Sequence, residues 1–380
     1  MKKIVILHIF PDEKFFEEVA DFYDSLPNID NRYYFFNSDS NYVFKYIKNA
    51  NRVRRFYILT DYIKELRKKD IDIVLFHSMA GRKFLYANLL RKNVKIIWWA
   101  WGFDLYERYG PLSPIIEIDL FKPLTKKIVE NERTKREKKW TLFFNNTIYK
   151  FMLSYLRKRA ISRVSLFLPC IPIEFDILRK SCPFFKGGMA INPFNLYVNA
   201  TQKRKNIGNI LIGNSLTYTN NHLDVFEHLY NVNLDEGRRY IIPVNYGKGY
   251  GGVDNLISAS HFRDNQVIWL KDFIPIGEYN NLLNTVSHAV FGVVRQQALG
   301  NIYVCLLGGA KIFLYKDSMV AQQLKHDGYI FFTIEDDLNE QSLSECLSLD
   351  AVLHNYDVYK KSMSSCGTDN VIKQIENLVS

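Results

Sequence analysis

The stretch from His288 to Tyr315 has the order strand, polar loop, helix and strand, and this order constrains the fold most strongly. An apolar run over Ala289–Val294 stops at three polar residues, a helical pattern covers Ile302–Leu307, and a second apolar run begins at Ile312. Two buried strands joined by a helix indicate a βαβ unit, whose strands are parallel.

The same alternation extends over most of the chain and predicts two α/β domains. Predicted strands are Lys3–Ile9, Tyr33–Asn37, Ile71–His77, Val94–Ala100, Leu166–Pro169, Asn209–Gly213, Tyr240–Val244, Gln266–Leu270, Ala289–Val294 and Lys311–Leu314. Predicted helices are Glu13–Tyr23, Arg54–Lys69, Gly81–Arg91, His222–Leu229, Val253–His261, Ile276–Thr285 and Ile302–Leu307, with a helical stretch over Leu338–Val379. Proline and glycine mark a linker near 183–205.

Composition narrows the class of protein. The 380 residues are 47% apolar and 15% aromatic, which supports large cores and argues against disorder. No apolar run approaches the length of about 18–20 residues that spans a bilayer. The opening MKKIVILHIF is interpreted as a first strand, since its apolar run is too short for a leader. Five cysteines without metal-ligand spacing predict reduced thiols, a cytoplasmic location and no metal or cofactor.

Positive charge is concentrated in one segment. Residues 122–163 hold thirteen Lys or Arg against three Glu, an excess equal to the +10 of the whole chain. Within this segment Phe144, Ile148, Phe151, Met152 and Tyr155 share one helical face. A basic, aromatic amphipathic helix suits an anionic membrane surface. The alternative is a helix packed on its own core with a solvated basic rim.

Three polar turns follow predicted parallel strands in the second half. They are Gly213-Asn214-Ser215, continued by Asn220-Asn221-His222; the loop Pro243–Gly252, with Asn245 and Tyr246; and Arg295–Asn301, with Gln296 and Gln297. Parallel strands place such loops at one sheet edge, where α/β proteins bind ligands. Helix-start amides and the planar Arg295 fork suit phosphate. The alternatives are three ordinary turns and a solvated arginine.

The first half offers two candidates for acid–base chemistry. Asp104 and Glu107 follow a tryptophan-rich strand in WWAWGFDLYE, and His77 ends IVLFHS. A carboxylate at a strand end could act as a general base or bind a sugar hydroxyl. Asp104 could equally cap a helix, and a lone histidine such as His77 is most often structural.

Four motifs together resemble one family. WWAWGFDLYE, ILIGNSLTYTNNH, IIPVNYG and VVRQQALGNIYVCLLGGAKIFLYKDS, across roughly residues 70–340, resemble the bacterial Fuc4NAc transferases, the 4-alpha-L-fucosyltransferase-like enzymes of enterobacterial common antigen synthesis. The resemblance implies a GT-B glycosyltransferase with two Rossmann-like domains facing a cleft. Residues 1–195 would form the acceptor-side domain with a basic amphipathic insertion at 122–163. Residues 206–350 would bind the nucleotide sugar, and 351–380 would form a C-terminal helix.

The resemblance also implies partners and roles. Similar enzymes use a dTDP-activated deoxyamino sugar and an undecaprenyl-diphosphate-linked acceptor, in cell-surface polysaccharide synthesis at the inner face of the inner membrane. By similarity the donor would be surrounded by Gly213, Asn214, Ser215, Asn220, His222, Asn245, Tyr246, Arg295, Gln296, Gln297 and Asn301. Asp104, the first choice of base, would face it together with His77 and Glu107. No metal is required if Arg295 and helix-start amides stabilise the leaving diphosphate.

The sequence leaves three rival functions open. The first is a GDP-fucose-dependent fucosyltransferase. The second is a sugar-nucleotide sensor without catalysis on the same fold. The third is a nucleic-acid-binding protein, which the basic charge suggests, but that charge is confined to one helical segment and no known binding motif accompanies it. We therefore expect no nucleic-acid partner.

Overall fold

A computed structural model describes residues 3–11, 15–144, 147–190, 208–233, 237–363 and 368–380, without the side chains of 134–144, 276 and 363. Its strands are β1 Ile4–Ile9, β2 Ile29–Phe36, β3 Val53–Phe56, β4 Ile73–His77, β5 Lys95–Trp99, β6 Val164–Leu168, β7 Gly188–Met189, β8 Asn209–Ile212, β9 Tyr240–Pro243, β10 Val267–Leu270, β11 Val286–Phe291, β12 Lys311–Leu314 and β13 Phe332–Thr333.

The helices lie between and after these strands. They are α1 Phe16–Asp24, α2 Leu59–Leu66, α3 Lys83–Leu89, α4 Phe103–Tyr106, α5 Pro123–Phe144, α6 Thr147–Ser162, α7 Ile173–Ser181, α8 His222–Leu229, α9 Val253–Ser258, α10 Ile276–Leu283, α11 Leu299–Leu307, α12 Met319–Asp327, α13 Ile334–Asp337, α14 Glu340–Ser344, α15 Leu349–Met363 and α16 Thr368–Val379. Short 3-10 turns occur at 50–52, 218–220 and 264–266.

The chain divides into two compact units, each with one parallel sheet. Unit 1 comprises residues 1–117, 143–195 and 365–380, and its strand order is β3-β2-β1-β4-β5-β6-β7. Unit 2 comprises 118–142 and 196–364, with the order β10-β9-β8-β11-β12-β13. Both orders reverse direction after the first strand in sequence, as in doubly wound Rossmann-like sheets. The prediction of two Rossmann-like α/β domains is therefore confirmed.

Burial explains why the sequence predicts the central strands. Every residue of β4 is buried, and so is every residue of β11, because helices cover both faces of a parallel sheet. In unit 2, one cluster on Ile210, Ile212 and Ile242 and another on Leu211 and Ile241 show that alternate side chains fill opposite faces.

Several element boundaries differ from the predicted ones. The predicted helix Arg54–Lys69 is in fact the edge strand β3 followed by α2. The predicted helical stretch Leu338–Val379 contains α14, α15 and α16, and β13 was not predicted. The expected linker 183–205 includes β7, and its residues from 191 to 205 lie outside the described part of the chain.

The domain assignment of two segments differs from the expected one. Residues 118–142 group with unit 2, because Asn221 accepts a hydrogen bond from the Lys122 amide at 2.9 Å and Asp224 accepts two from Leu124 and Thr125 at 2.8 and 3.0 Å. Asp224 thereby caps the start of α5. The C-terminal α16 groups with unit 1, where two of its side chains enter the core, Val371 and Ile375.

Candidate functional site

The three polar turns of unit 2 meet at one edge of its sheet. β8 and β11 are neighbours where the strand order reverses, and the turns that follow β8, β9 and β11 leave the carboxyl ends of parallel strands. A crevice at such a reversal is the usual ligand position in open α/β sheets. The expected convergence of the three turns is thus present in the fold.

A chain of side-chain hydrogen bonds links the three turns. Asn214 Nδ2 donates to the Tyr246 hydroxyl at 2.6 Å, and Gln297 Nε2 donates to Asn214 Oδ1 at 3.1 Å. Gln297 also donates to Thr217 Oγ1 at 3.1 Å and accepts from Thr219 Oγ1 at 2.6 Å. These bonds orient both amides, so a ligand at this edge would meet a fixed pattern of donors and acceptors.

Asn220 and Asn221 are buried and hold the turn after β8 in place. Asn220 accepts from the Asn214 amide at 3.2 Å, and its Nδ2 donates to Ser215 O at 2.9 Å. Asn221 is the left-handed residue before α8, and its side chain donates to the carbonyls of Leu120 and Gly292. Both residues are essentially inaccessible, at 1% and 0% exposure. They hold the loop rather than present a polar group to solvent.

His222 is packed tightly against Gly213. Burial lowers the pKa of His222 to about 3, so the ring is neutral at physiological pH. Neither ring nitrogen has a hydrogen-bond partner within the described part of the chain. Gly213 has φ +65°, and a Cβ there would lie 2.9 Å from His222 Nε2 and 3.0 Å from Asn220 Oδ1. Glycine is therefore required for the backbone to leave β8 in this direction.

Arg295 and Gln296 are the first residues of the polar turn between β11 and α11. Arg295 is half-buried, and its Nη1 donates to the Gln296 carbonyl at 2.9 Å. Gln296 is 4% exposed, and its Nε2 has no partner among the residues the structure describes. Ala298 then adopts a left-handed conformation with φ +61° and starts α11.

The remaining candidates of unit 2 have local partners instead. Ser215 Oγ lies 3.0 Å from Thr217 Oγ1, Asn245 donates to Asp272 O at 3.3 Å, and Asn301 donates to the Tyr279 hydroxyl at 2.7 Å. Thr217 and Thr219, which sequence reasoning missed, complete the hydrogen-bond chain. Their signal was the polar run LTYTNN between Ser215 and His222.

In unit 1, His77 belongs to a buried pair. Asn31 Nδ2 donates to Tyr23 O at 2.7 Å, so its Oδ1 accepts from His8 Nε2 at 3.0 Å. His8 Nδ1 must then accept from His77 Nε2 at 3.1 Å, because a neutral ring has one donor. Burial lowers the pKa of both rings, that of His8 to about 4. His77 Nδ1 is left as a buried acceptor without a partner in the described ranges.

Asp104 is held by three N–H donors. Its Oδ2 accepts from Trp98 Nε1 at 2.8 Å and the Met79 amide at 3.0 Å, and its Oδ1 accepts from the Trp101 amide at 2.9 Å. Burial raises the pKa of the carboxyl, and these bonds act in the opposite direction. Gly102 is the N-cap of α4, so Asp104 lies in the first turn and ties the ends of β4 and β5 together.

A buried carboxyl that sequence reasoning missed lies at the same sheet edge. Glu174, in the first turn of α7, is fully buried and accepts from the Tyr106 hydroxyl at 2.8 Å. Burial is the main reason that its pKa is raised to about 7. Glu107, by contrast, is exposed at the end of α4. A glutamate inside IPIEFDIL gave no local signal of burial.

Helix α6 exposes large apolar side chains. Ile148, Phe151, Met152 and Tyr155 are 78%, 75%, 47% and 57% exposed. Leu153 and Ala160 of the same helix are buried. The expected fifth member, Phe144, lies outside the side chains that are described. Across the described ranges, no helix combines the length and apolar character needed to cross a bilayer.

A model of one protein family matches residues 142–357, which is more than half of the chain. Its description is 4-alpha-L-fucosyltransferase, glycosyl transferase group 56. The chain belongs to this family. A comparison with curated protein sequences found no match.

Solved glycosyltransferases share the fold. The chain is similar to a structure described as trehalose-6-phosphate from E. coli bound with UDP-2-fluoro glucose, with TM-score 0.62, 10% identity and 99% coverage of each chain. It is also similar to the lipopolysaccharide outer core galactosyltransferase WaaB, with TM-score 0.56, 12% identity and coverage of 96% of this chain and 98% of that one. At such identities the likeness shows the GT-B fold.

The family match covers all the candidate residues of unit 2. It begins after His77, Asp104 and Glu107, so WWAWGFDLYE lies outside the matched range. As a member of the 4-alpha-L-fucosyltransferase family with a GT-B fold, the chain is a glycosyltransferase. No group of three or more His, Cys, Asp or Glu suited to hold a metal occurs among the described residues.

Proposed function

We propose that this fucosyltransferase-family member transfers a 6-deoxyhexose, of the Fuc4NAc or fucose type, from a dTDP-linked donor to a polyprenyl-diphosphate-linked glycan in cell-surface polysaccharide synthesis. The observation that carries the proposal is the meeting of three turns at the β8–β11 edge, where Asn214 bonds to both Tyr246 and Gln297. Fixed amides and a hydroxyl at such an edge suit a sugar nucleotide, whose diphosphate, ribose and base all offer polar atoms.

Arg295 and the amide groups at the start of α11 would stabilise the departing diphosphate. The guanidinium stays protonated and offers a planar fork of donors, and α11 is nine residues long and begins four residues after Arg295. Charge develops on the diphosphate as the glycosidic bond breaks, so fixed donors there lower the barrier without a metal. Asn214, Gln296 and Gln297 would orient the donor.

The acceptor hydroxyl requires a base if the reaction inverts the anomeric centre. Three N–H groups already engage the Asp104 carboxylate, which supports a shaping role for it, whereas His77 is neutral and its Nδ1 is an acceptor. We therefore propose His77 before Asp104 as the base, which requires the acceptor hydroxyl to reach its buried Nδ1, and assign Glu107 to acceptor hydroxyl contacts. A retaining reaction needs no dedicated base, and NMR of the product linkage distinguishes the two.

The donor assignment is tested by calorimetric binding of dTDP, UDP and GDP to the full chain. We expect dTDP to bind and Arg295→Ala to weaken it about tenfold or more, since one charge-assisted contact is worth about 1.5–3 kcal/mol. Arg239→Ala is the control, because Arg239 is exposed at the amino end of β9, on the opposite sheet edge. Selective GDP binding would indicate a GDP-fucose donor, and no binding at all would contradict a donor site here.

The membrane part of the proposal rests on α6. Four exposed apolar side chains on one face, with Lys150 and Lys158 exposed on the same helix, suit peripheral binding to the anionic inner face of the inner membrane. Phe151→Ser and Tyr155→Ser should reduce cosedimentation with phosphatidylglycerol vesicles. Phe273→Ser is the control, since Phe273 is 77% exposed in unit 2. Equal loss in all three variants would contradict an α6 contact.

A further inference from the structure

Helix α6 has a third face that neither the core nor the exposed apolar residues occupy. The core face carries Leu153 and Ala160, and Asn88 Nδ2 donates to the Leu156 carbonyl at 2.8 Å. The third face consists of Ser154, Arg157 and Lys158, spaced three and four apart, and Ile161, one turn further along, is buried where this face meets the core. Helical periodicity places it about a third of a turn from the exposed apolar face.

This third face forms one wall of a groove of about 390 Å³ within unit 1. The opposite walls come from the segment Ser113–Glu117 and from the end of α7. Three serines, Ser113, Ser154 and Ser181, line it together with the two cations. Glu117 contributes the single carboxylate among the lining residues, so the groove has a net positive charge.

Arg157 and Lys158, the two cations of the groove, have N–H groups that are available to a ligand. Arg157 is half-buried, and its Nη1 donates to the Ser113 carbonyl at 2.6 Å, which fixes the plane of the guanidinium. Within the described ranges this is its one hydrogen bond, and Lys158 has neither a hydrogen bond nor an ion pair. A fixed arginine fork, a neighbouring ammonium and hydroxyl groups are the set that binds phosphate monoesters and diesters.

We propose that this groove binds the phosphate of a membrane lipid headgroup. The proposal rests on the membrane contact of α6 proposed above and gives it a specific polar ligand. When Ile148, Phe151, Met152 and Tyr155 lie among the acyl chains, the groove on the adjacent face is at the level of the headgroups. Its volume of about 390 Å³ is sufficient for a glycerophosphate group.

The test uses dihexanoyl phosphatidic acid, a lipid soluble as a monomer, titrated into the full-length protein by calorimetry. Arg157→Gln and Lys158→Gln should each weaken binding about tenfold, the effect of removing one charge-assisted contact. Arg159→Gln, which removes an exposed charge of α6 outside the groove, should leave it unchanged. Glu117→Gln should tighten binding, because it removes the opposing charge.

Two outcomes would overturn the proposal. One is an equal loss in Arg157→Gln and Arg159→Gln, which would show a general charge effect. The other is binding of inorganic phosphate as tight as that of the lipid, which would assign the groove to a free anion. If Arg157→Gln fails to fold, Ser154→Asp, a half-buried position facing the groove, should abolish lipid binding while the thermal melt is retained.

The same samples separate this proposal from the proposed function. Nucleotide binding at unit 2 with no affinity for dihexanoyl phosphatidic acid would remove the groove proposal and leave the donor site standing. Lipid binding that depends on Arg157 and Lys158, without any nucleotide binding, would support the groove and contradict the proposed donor site.

Discussion

Replacing Gly213 by alanine should destabilise unit 2 and disrupt the candidate donor site together. Gly213 has φ +65°, a left-handed conformation that costs an alanine about 1–2 kcal/mol. The added Cβ would also lie 2.9 Å from His222 Nε2 and 3.0 Å from Asn220 Oδ1. Those side chains are 0% and 1% exposed, so neither has space to move away.

Together, the two effects should lower the free energy of unfolding substantially. Overpacking a rigid core position costs about 1–3 kcal/mol, so the total is about 2–5 kcal/mol. The displacement would act on the Asn214 amide, which donates to Asn220 Oδ1 at 3.2 Å, and through it on the bonds to Tyr246 and Gln297. Nucleotide affinity should therefore fall even under conditions where the variant is fully folded.

Chemical denaturation of Gly213→Ala and of a matched variant separates the cost of packing against His222 and Asn220 from the cost of the backbone conformation. Gly328→Ala is the control, because Gly328 has φ +86° and nothing within 4 Å of its added Cβ. It should lose about 1–2 kcal/mol and keep its nucleotide affinity. Equal losses in the two variants would refute the argument that packing against His222 and Asn220 requires glycine at 213.

Three further perturbations have defined outcomes. The pKa of Glu174 is about 7 in the folded state and 4.5 in the unfolded state, so between these pH values the folded state binds the proton more tightly. The free energy of unfolding should therefore fall by about 3 kcal/mol as pH rises from 4.5 to 7. Glu174→Gln should remove this fall in denaturation curves compared across pH, and an unchanged slope would contradict burial as its cause. Gln297→Ala should weaken dTDP binding by about 1–3 kcal/mol in calorimetry without changing the melting temperature of unit 1, because it removes donors to Asn214 and Thr217; equal affinity would exclude these amides from the site. Asp104→Asn places an amide opposite N–H donors and should cost about 1–3 kcal/mol of stability, with nucleotide binding spared; a fully stable variant with depressed turnover would instead favour a direct catalytic role.

The sequence predicts the central strands and the polar edge well, for a physical reason. Buried parallel strands such as β4 and β11 are continuous apolar runs, and the polar residues that end them mark the carboxyl edge of the sheet. The convergence of Asn214, Tyr246 and Gln297 could be expected from that topology alone.

The local sequence pattern does not predict the structure where contacts between distant residues determine it. The strand β3, VRRF, lies at the sheet edge with Arg54 exposed, and its polar residues resemble the start of the helix that follows. One of the three donors to Asp104 comes from Met79, 25 residues away, and Asp224 binds the amide of Thr125, 99 residues away. The burial of Glu174 likewise depends on Tyr106, 68 residues earlier. No window of neighbouring residues contains this information.

The path of the chain limits how the two units can be separated. The backbone passes from one unit to the other four times, after residues 117, 142, 195 and 364. A single cut near 195 would leave the second fragment without the 118–142 segment that Asn221 and Asp224 bind, and the first without α16. Neither fragment should fold independently, and exchange of unit 2 between related enzymes requires four matched junctions, one at each crossing.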